Sequence, residues 1–358
     1  MSFRIHLLAL PNTQTTRAYS LDGFCQVTIR FARILKSLGY HVTLYASEEN
    51  EAPCDELVTV ITKEEQQTLL NATSPGPTPY QYAYIEEWSP IWQLANARMV
   101  KEIRKRKQPG DFICSIGGSS QKPVSDAIPD LMFVEYSIGY NGSFSPYRVF
   151  ESHVWRHATY AAQQIPDGRF YDTVIPTPFD AGEFQFRERP EPFALYVGRL
   201  VPRKGLSIAC QSAKLAGIPL KIIGHGDVSL VTHGAEYLGA VDADTRNDYM
   251  ARASVLLCPT IYVEPFGSIA VEAQMCGTPV ISTDFGGFVE TIEHGKTGWR
   301  CNYLGEFVRA LRSVGPLDRR YIWQRATSLY SLEAVAPQYD QYFKRLATRW
   351  GKGWDTVD

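Results

Sequence analysis

The sequence predicts an α/β protein built from two doubly wound parallel-sheet domains in tandem. Three observations carry this. The chain opens as strand, loop, helix, strand, and the same alternation restarts after residue 192. Between the two, residues 176–192 are rich in proline and charge and poor in apolar side chains, as a linker is. Strand–helix–strand alternation implies parallel pairing, because parallel neighbours need a long crossover, usually a helix. A chain of 358 residues also suits two domains of about 150–200 residues better than one.

Taken in order, Ile5–Leu10 is an apolar run of strand length. Gly23 leads into Val27–Leu38, apolar at helical spacing, and Gly39 is placed to stop that helix. His41–Tyr45 is β-branched enough for the second strand, and short buried strands recur at Phe112–Ile116 and Leu131–Tyr136. Ser74–Pro79 reads as a loop, and Tyr80, Tyr82, Tyr84, Trp88 and Trp92 form an aromatic stretch that could stack on sugars or bases or serve the core. After the linker come a strand at Phe193–Val197, a helix at Gly205–Leu215 and a strand at Leu220–Ile223. A helix at Arg246–Arg252, a strand at Val255–Leu257, a helix at Ser268–Met275 and a strand at Pro279–Ser282 continue the pattern. In such folds ligands bind at the carboxyl ends of the strands.

The net charge of −2 gives no global attraction to nucleic acid or an anionic membrane. Seven scattered cysteines without a CxxC pair argue against a disulfide framework or a structural zinc. The start MSFRIHLLALP is interrupted by Arg4 and His6, which suits a strand better than a signal-peptide core, and no apolar run reaches bilayer length. The expected location is cytoplasmic, either free or peripheral to the inner face of a membrane. For the second case the candidate is the basic helix at residues 98–107, whose alternative is a solvated helix face.

The chemistry concentrates in the second half. Along an unbroken helix Glu264 and Glu272 would lie about 80° apart around the axis, but Pro265 and Gly267 argue against continuity. Glu264 is then a loop residue, the helix starts near Ser268, and Glu272 lies in its second turn. The amides of Phe266, Gly267 and Ser268 precede the helix, where the dipole favours anions and hydroxyl oxygens. By spacing alone, two solvated glutamates remain equally open. Neighbouring strand ends carry compatible features. Gly198 is followed by Arg199 and Lys204, two cations on a tight loop that can clamp a diphosphate. Gly224 and Gly226 permit a close approach, as to a planar base, and Gly286–Gly287 would offer a further set of backbone amides.

The stretches GRLVPRKG, VEPFGSIAVEAQMCGTPVISTDFGG and ETIEHGKTGW resemble the C-terminal domain of retaining glycosyltransferases of family 4, closely over residues 193–300. The resemblance implies the GT-B fold, two Rossmann-like domains facing a central cleft. It implies a hexosyl- or pentosyltransferase that takes a nucleoside-diphosphate sugar as donor, needs neither metal nor other cofactor, and transfers to an acceptor hydroxyl. Arg199 and Lys204 would hold the diphosphate, Glu272 the ribose, and Glu264 with the Phe266–Gly267–Ser268 backbone the transferred sugar. Gly23 stands where the family places a glycine-rich loop on the phosphates, with one glycine where two are usual. Many relatives end a middle strand of the first domain in histidine; here that strand ends in Glu135, a candidate acid or base whose alternative is a capping or salt-bridged glutamate. Tyr136, Tyr140 and Arg148, beside it, are acceptor-side candidates. In this fold a C-terminal helix crosses back to the first domain, and Pro337–Trp350, with a proline suited to a first turn, fits that part. The domains would then be 1–178 plus 338–358, and 179–337.

Two other readings compete. A Rossmann oxidoreductase or epimerase would need a G-x-G-x-x-G after the first strand, which is lacking. A non-catalytic sugar- or nucleotide-binding GT-B protein is argued against by the intact Arg199, Lys204, Glu264 and Glu272. His153 and His157 share a helix face but have no third ligand in sequence, so surface histidines are the simpler reading.

Overall fold

The computed structural model describes residues 2–19, 22–71 and 86–349. Loop 74–79, Tyr80, Tyr82, Tyr84 and Trp350 therefore lie outside the described residues. The first part of the chain runs β1 (Arg4–Leu8), α1 (Gly23–Ser37), β2 (His41–Ser47), β3 (Glu56–Ile61), α2 (Lys63–Asn71), α3 (Pro90–Arg106), β4 (Phe112–Ser115), α4 (Lys122–Ala127), β5 (Met132–Ile138), β6 (Tyr147–Phe150), α5 (His153–Ala162) and β7 (Thr173–Val174). Its strands form one parallel sheet in the order β3-β2-β1-β4-β5-β6-β7.

The second part runs β8 (Ala194–Val197), α6 (Leu206–Ala216), β9 (Leu220–Ile223), β10 (Glu236–Gly239), α7 (Ala243–Arg252), β11 (Val255–Cys258), α8 (Ser268–Met275), β12 (Val280–Thr283), α9 (Phe288–Thr291), β13 (Gly298–Cys301), α10 (Leu304–Arg312), α11 (Arg319–Tyr330) and α12 (Leu332–Ala347). Its sheet, β10-β9-β8-β11-β12-β13, is again all parallel. Strand order reverses between β1 and β4 and between β8 and β11, and these switch points open crevices at the strands' carboxyl ends. Central strands such as β4 and β11 are buried throughout, which is why they read as apolar runs without alternation.

Two compact units result. The first takes Met1–Glu151, Thr159–Pro178 and the chain from Leu332; the second takes Ser152–Ala158 and Phe179–Ser331. The return thus comes at Leu332 rather than 338, and the division also passes through α5, which no shift in composition marks. Pro337 lies inside α12, not at its first turn. An interior proline withholds one helix hydrogen bond. The burial of Val335, Tyr339, Tyr342, Phe343 and Leu346 offsets that loss.

Helix α1 shows how the first core is assembled. The Asp22 carboxylate caps it by accepting from the Cys25 amide at 3.0 Å, and Gly39, at φ 75°, ends the segment. Phe31 stacks on Tyr136 of β5 at 4.0 Å and packs on Tyr339 of α12 at 4.8 Å, joining three elements distant in sequence. In the second unit the Arg319 guanidinium donates to the carbonyls of Ala251 and Ala253, closing the carboxyl end of α7. Among the described residues no helix is long and apolar enough to cross a membrane.

Candidate functional site

The loops leaving β8 and β11, adjacent strands at the second unit's switch point, bring the main candidates together. Gly205 ends the first loop at φ 71°, where a Cβ would come within 1.9 Å of the Pro259 carbonyl oxygen of the second. That approach sets Lys204 against Glu264: Nζ donates to Oε2 at 2.6 Å, with 19% and 14% of the side chains exposed. Burial alone would lower the Lys204 pKa, but Glu264 and Tyr262 outweigh it and the net shift is upward. The Tyr262 ring lies 5.1 Å from the Lys204 ammonium and 4.7 Å from the Arg203 guanidinium. Arg199 is exposed and has no ion pair among the described residues. Its charge, after burial, helps lower the pKa of His225.

The glycines of these loops meet neighbouring backbone closely. A Cβ at Gly224, φ 151°, would sit 1.9 Å from the Gly198 carbonyl oxygen, so neighbouring backbone takes the place of a side chain there. The Gly287 amide donates to the Glu264 carbonyl at 2.7 Å, and a Cβ at Gly286 would meet the Glu264 nitrogen at 2.6 Å. Gly286–Gly287 therefore supports the Glu264 turn, with the Gly287 amide engaged there, and α9 behind it is a single turn.

Helix α8 begins at Ser268, as the proline and glycine before it predict, with Gly267 at φ 83° as N-cap. The Phe266 side chain is in the core, edge-on to Tyr330, so only its backbone remains for a ligand. The Pro265 carbonyl accepts from Ser152 Oγ, whose oxygen also accepts from the Trp155 amide at the start of α5. Glu290 accepts from the amides of His153 and Val154 there. Glu272 lies in the second turn of α8, 8% exposed, with Oε2 3.5 Å from a guanidinium nitrogen of Arg246.

In the first unit Glu135 is fully buried on β5, where pairing with β6 shifts register and Ser137 holds φ 47°. Its Oε2 accepts from the amides of Phe144 and Ser145 at 2.8 and 2.7 Å, and Oε1 from the Tyr140 hydroxyl at 3.3 Å. Burial pushes its pKa up to about 7, against the opposing pull of those amides, Arg148 and Tyr140. Tyr136 and Arg148, expected on an acceptor-facing surface, are interior. Tyr136 bonds Thr28 at 3.1 Å, and Arg148 pairs with Asp172 at 2.6 Å and donates to Gln163 at 2.7 Å. Tyr140 is half-buried. A Cβ at Gly23 would meet nothing within 4 Å, so the described fold does not itself require glycine there.

The basic helix is largely neutralised. Arg98 pairs with Glu65, Lys105 with Glu102, Arg106 with Glu56 and Glu102, and Lys107 with Asp130. Trp88 is exposed and Trp92 is core. His153 and His157 are exposed, and no group of three His, Cys, Asp or Glu able to hold a metal occurs among the described residues. Arg203, Tyr262 and Arg246 escape sequence reasoning; Tyr262 had adjacency to Glu264 as a signal, and Arg246 had none.

Residues 181–303 match the family described as Glycosyl transferases group 1. A phosphatidyl-myo-inositol mannosyltransferase of Mycobacterium leprae is 29% identical over 212 residues, 53% of this chain and 55% of that protein. The chain spans 31% to 55% of the first curated relatives' lengths. Among solved structures, the sucrose-phosphate synthase of Thermosynechococcus elongatus superimposes with a TM-score of 0.70 at 18% identity, covering 97% of this chain and 99% of that one. Anabaena HepE, in complex with UDP and glucose, gives 0.66 at 14% identity, covering 96% and 100%. By sequence over residues 181–303 and by its GT-B fold over nearly the whole chain, the protein is thus similar to group 1 glycosyltransferases.

Proposed function

We propose that this chain is a retaining, metal-independent glycosyltransferase of family 4 that moves a sugar from a nucleoside-diphosphate donor to an acceptor hydroxyl. The observation that carries the reading is the Lys204–Glu264 contact at the β8–β11 switch point, within the region that matches group 1 glycosyltransferases. In the free protein the Glu264 carboxylate occupies Lys204 as an anion would. An arriving diphosphate takes over the ammonium, together with exposed Arg199, and releases Glu264 to accept from sugar hydroxyls. The two cations then stabilise the charge that develops on the leaving diphosphate, a function that elsewhere falls to a metal ion. Glu272 accepts from the ribose. Gly198 and Gly224 line the donor loop as backbone, and the amides of Gly267 and Ser268 face the sugar. HepE, whose structure contains UDP and glucose, supports a UDP-sugar as the first donor to try.

The test is thermal stabilisation and slow donor hydrolysis with UDP-, GDP-, ADP- and dTDP-sugars, in EDTA and with added magnesium. At least one donor should stabilise the protein and be hydrolysed at the same rate in both conditions, with the released sugar first appearing in the donor's anomeric configuration. Stabilisation by NAD(H) and by no nucleotide sugar would sink the proposal. Binding with neither hydrolysis nor transfer under any acceptor screen would leave a sugar-nucleotide binding protein instead.

A further inference from the structure

Two buried ion pairs in this protein are built differently. Arg148 and Asp172 in the first unit are saturated: they meet at 2.6 Å, Gln163 takes another guanidinium proton, and Tyr160 donates to the same carboxylate at 2.9 Å. That is how a structural pair offsets the loss of hydration. Arg246 and Glu272 in the second unit are also withdrawn from water, with 13% and 10% of their side chains exposed, but they stand 3.5 Å apart. Arg246 Nε and Glu272 Oε2 are both shut off from solvent without a hydrogen-bond partner. Buried charges are seldom left so under-bonded unless something else completes them. Arg246 is also held from behind: it belongs to α7, and the next residue, Asn247, donates to the Glu183 carbonyl at 3.0 Å.

Resting on the donor reading above, we propose that Arg246 is a positioning residue for Glu272. Its guanidinium balances the buried charge and holds the Oε2 side, so that the carboxylate is presented in one orientation to the vicinal hydroxyls of a nucleotide ribose. With Oε2 enclosed on the Arg246 side, the diol meets the other carboxylate oxygen, Oε1. Arg246 acts through Glu272 and need not touch the diphosphate.

The experiment is calorimetric binding of UDP, GDP and ADP, each in its ribose and 3′-deoxyribose form, and of inorganic pyrophosphate. Wild type should prefer the ribose form of its best nucleotide by about tenfold or more, since a charged acceptor loses a partner in the deoxy form. In Arg246→Leu that preference should fall to about threefold or less, with pyrophosphate affinity unchanged. Glu272→Gln should lose it too, and the double variant no further, as expected for residues acting as one. Arg246→Lys, which keeps the charge, should recover part of the preference and serves if the leucine variant does not fold. An undiminished ribose preference in Arg246→Leu, or an equal loss of pyrophosphate affinity, overturns the inference while leaving the donor reading intact. Failure of wild type to bind any of the nucleotides overturns both.

Discussion

Lys204 and Glu264 are each other's main compensation for burial, so a single substitution has two effects. Lys204→Ala should abolish donor turnover, by about 10²-fold or more, because the leaving diphosphate loses a cation. It should also lower stability by about 1–3 kcal/mol, because Glu264 is left without its partner. Lys204→Met combined with Glu264→Gln should recover most of that stability and none of the turnover. Thermal unfolding and donor hydrolysis, measured on the same preparations, separate the two effects. Full activity in Lys204→Ala would refute the placement of the diphosphate. Glu135 makes a prediction of opposite kind. Its folded pKa, about 7, lies above the ordinary 4.5, so the folded state binds the proton more tightly. The resulting stability, on the order of 3 kcal/mol, is whole below pH 4.5 and is lost as pH rises through about 7. Glu135→Gln can still accept both amides, so urea unfolding across that window should depend less on pH than in wild type. The variant should keep activity within about tenfold, whereas loss of a catalytic acid or base costs about 10²–10⁴. An unchanged pH profile, or a loss of the larger size, would return Glu135 to the chemistry.

At the scale of elements, the loops that follow β8 and β9 are held by backbone meeting backbone. The β8 and β9 loops cross at Gly198 and Gly224, and the Leu200 amide donates to the His225 carbonyl at 2.8 Å. Gly224→Ala would put a methyl group 1.9 Å from a carbonyl oxygen that cannot rotate away. We expect a loss of about 2 kcal/mol or more and weaker donor binding, since Arg199 rides on the displaced loop. An alanine variant with unchanged melting temperature and donor affinity would contradict this. The glycine pattern itself was legible in the sequence, but its use was not. A glycine reports that something comes close, and only the fold says whether that is ligand or chain. Proline is similar: Pro265 correctly marks the start of α8, whereas Pro337, read as a helix start, lies within α12 because tertiary burial outweighs one lost hydrogen bond.

At the scale of the molecule, the chain's last described helix belongs to its first unit. Tyr339, Tyr342, Phe343 and Leu346 of α12 enter the same core as Phe3, Phe31 and Phe112. At roughly 2 kcal/mol per large side chain, these four are comparable with a domain's whole stability of about 5–15 kcal/mol. A chain ending at Ser331 should therefore lose the unfolding transition of the first unit and keep that of the second, as followed by calorimetry. Retention of both transitions would mean that the first core is complete without α12. What the sequence by itself determined is local: two parallel sheets from their alternation, the start of α8, and short stretches of the kind found in group 1 glycosyltransferases. Tertiary structure alone decided the rest, because the deciding contacts join distant positions. Lys204 meets Glu264 from 60 residues away, Arg246 reaches Glu272 from another helix, and Tyr136 and Arg148 pass from presumed surface to interior once α1, α12 and Asp172 close over them. Apolar periodicity shows which face of an element is buried, but not which polar residue will be buried with it or what will pair with it there.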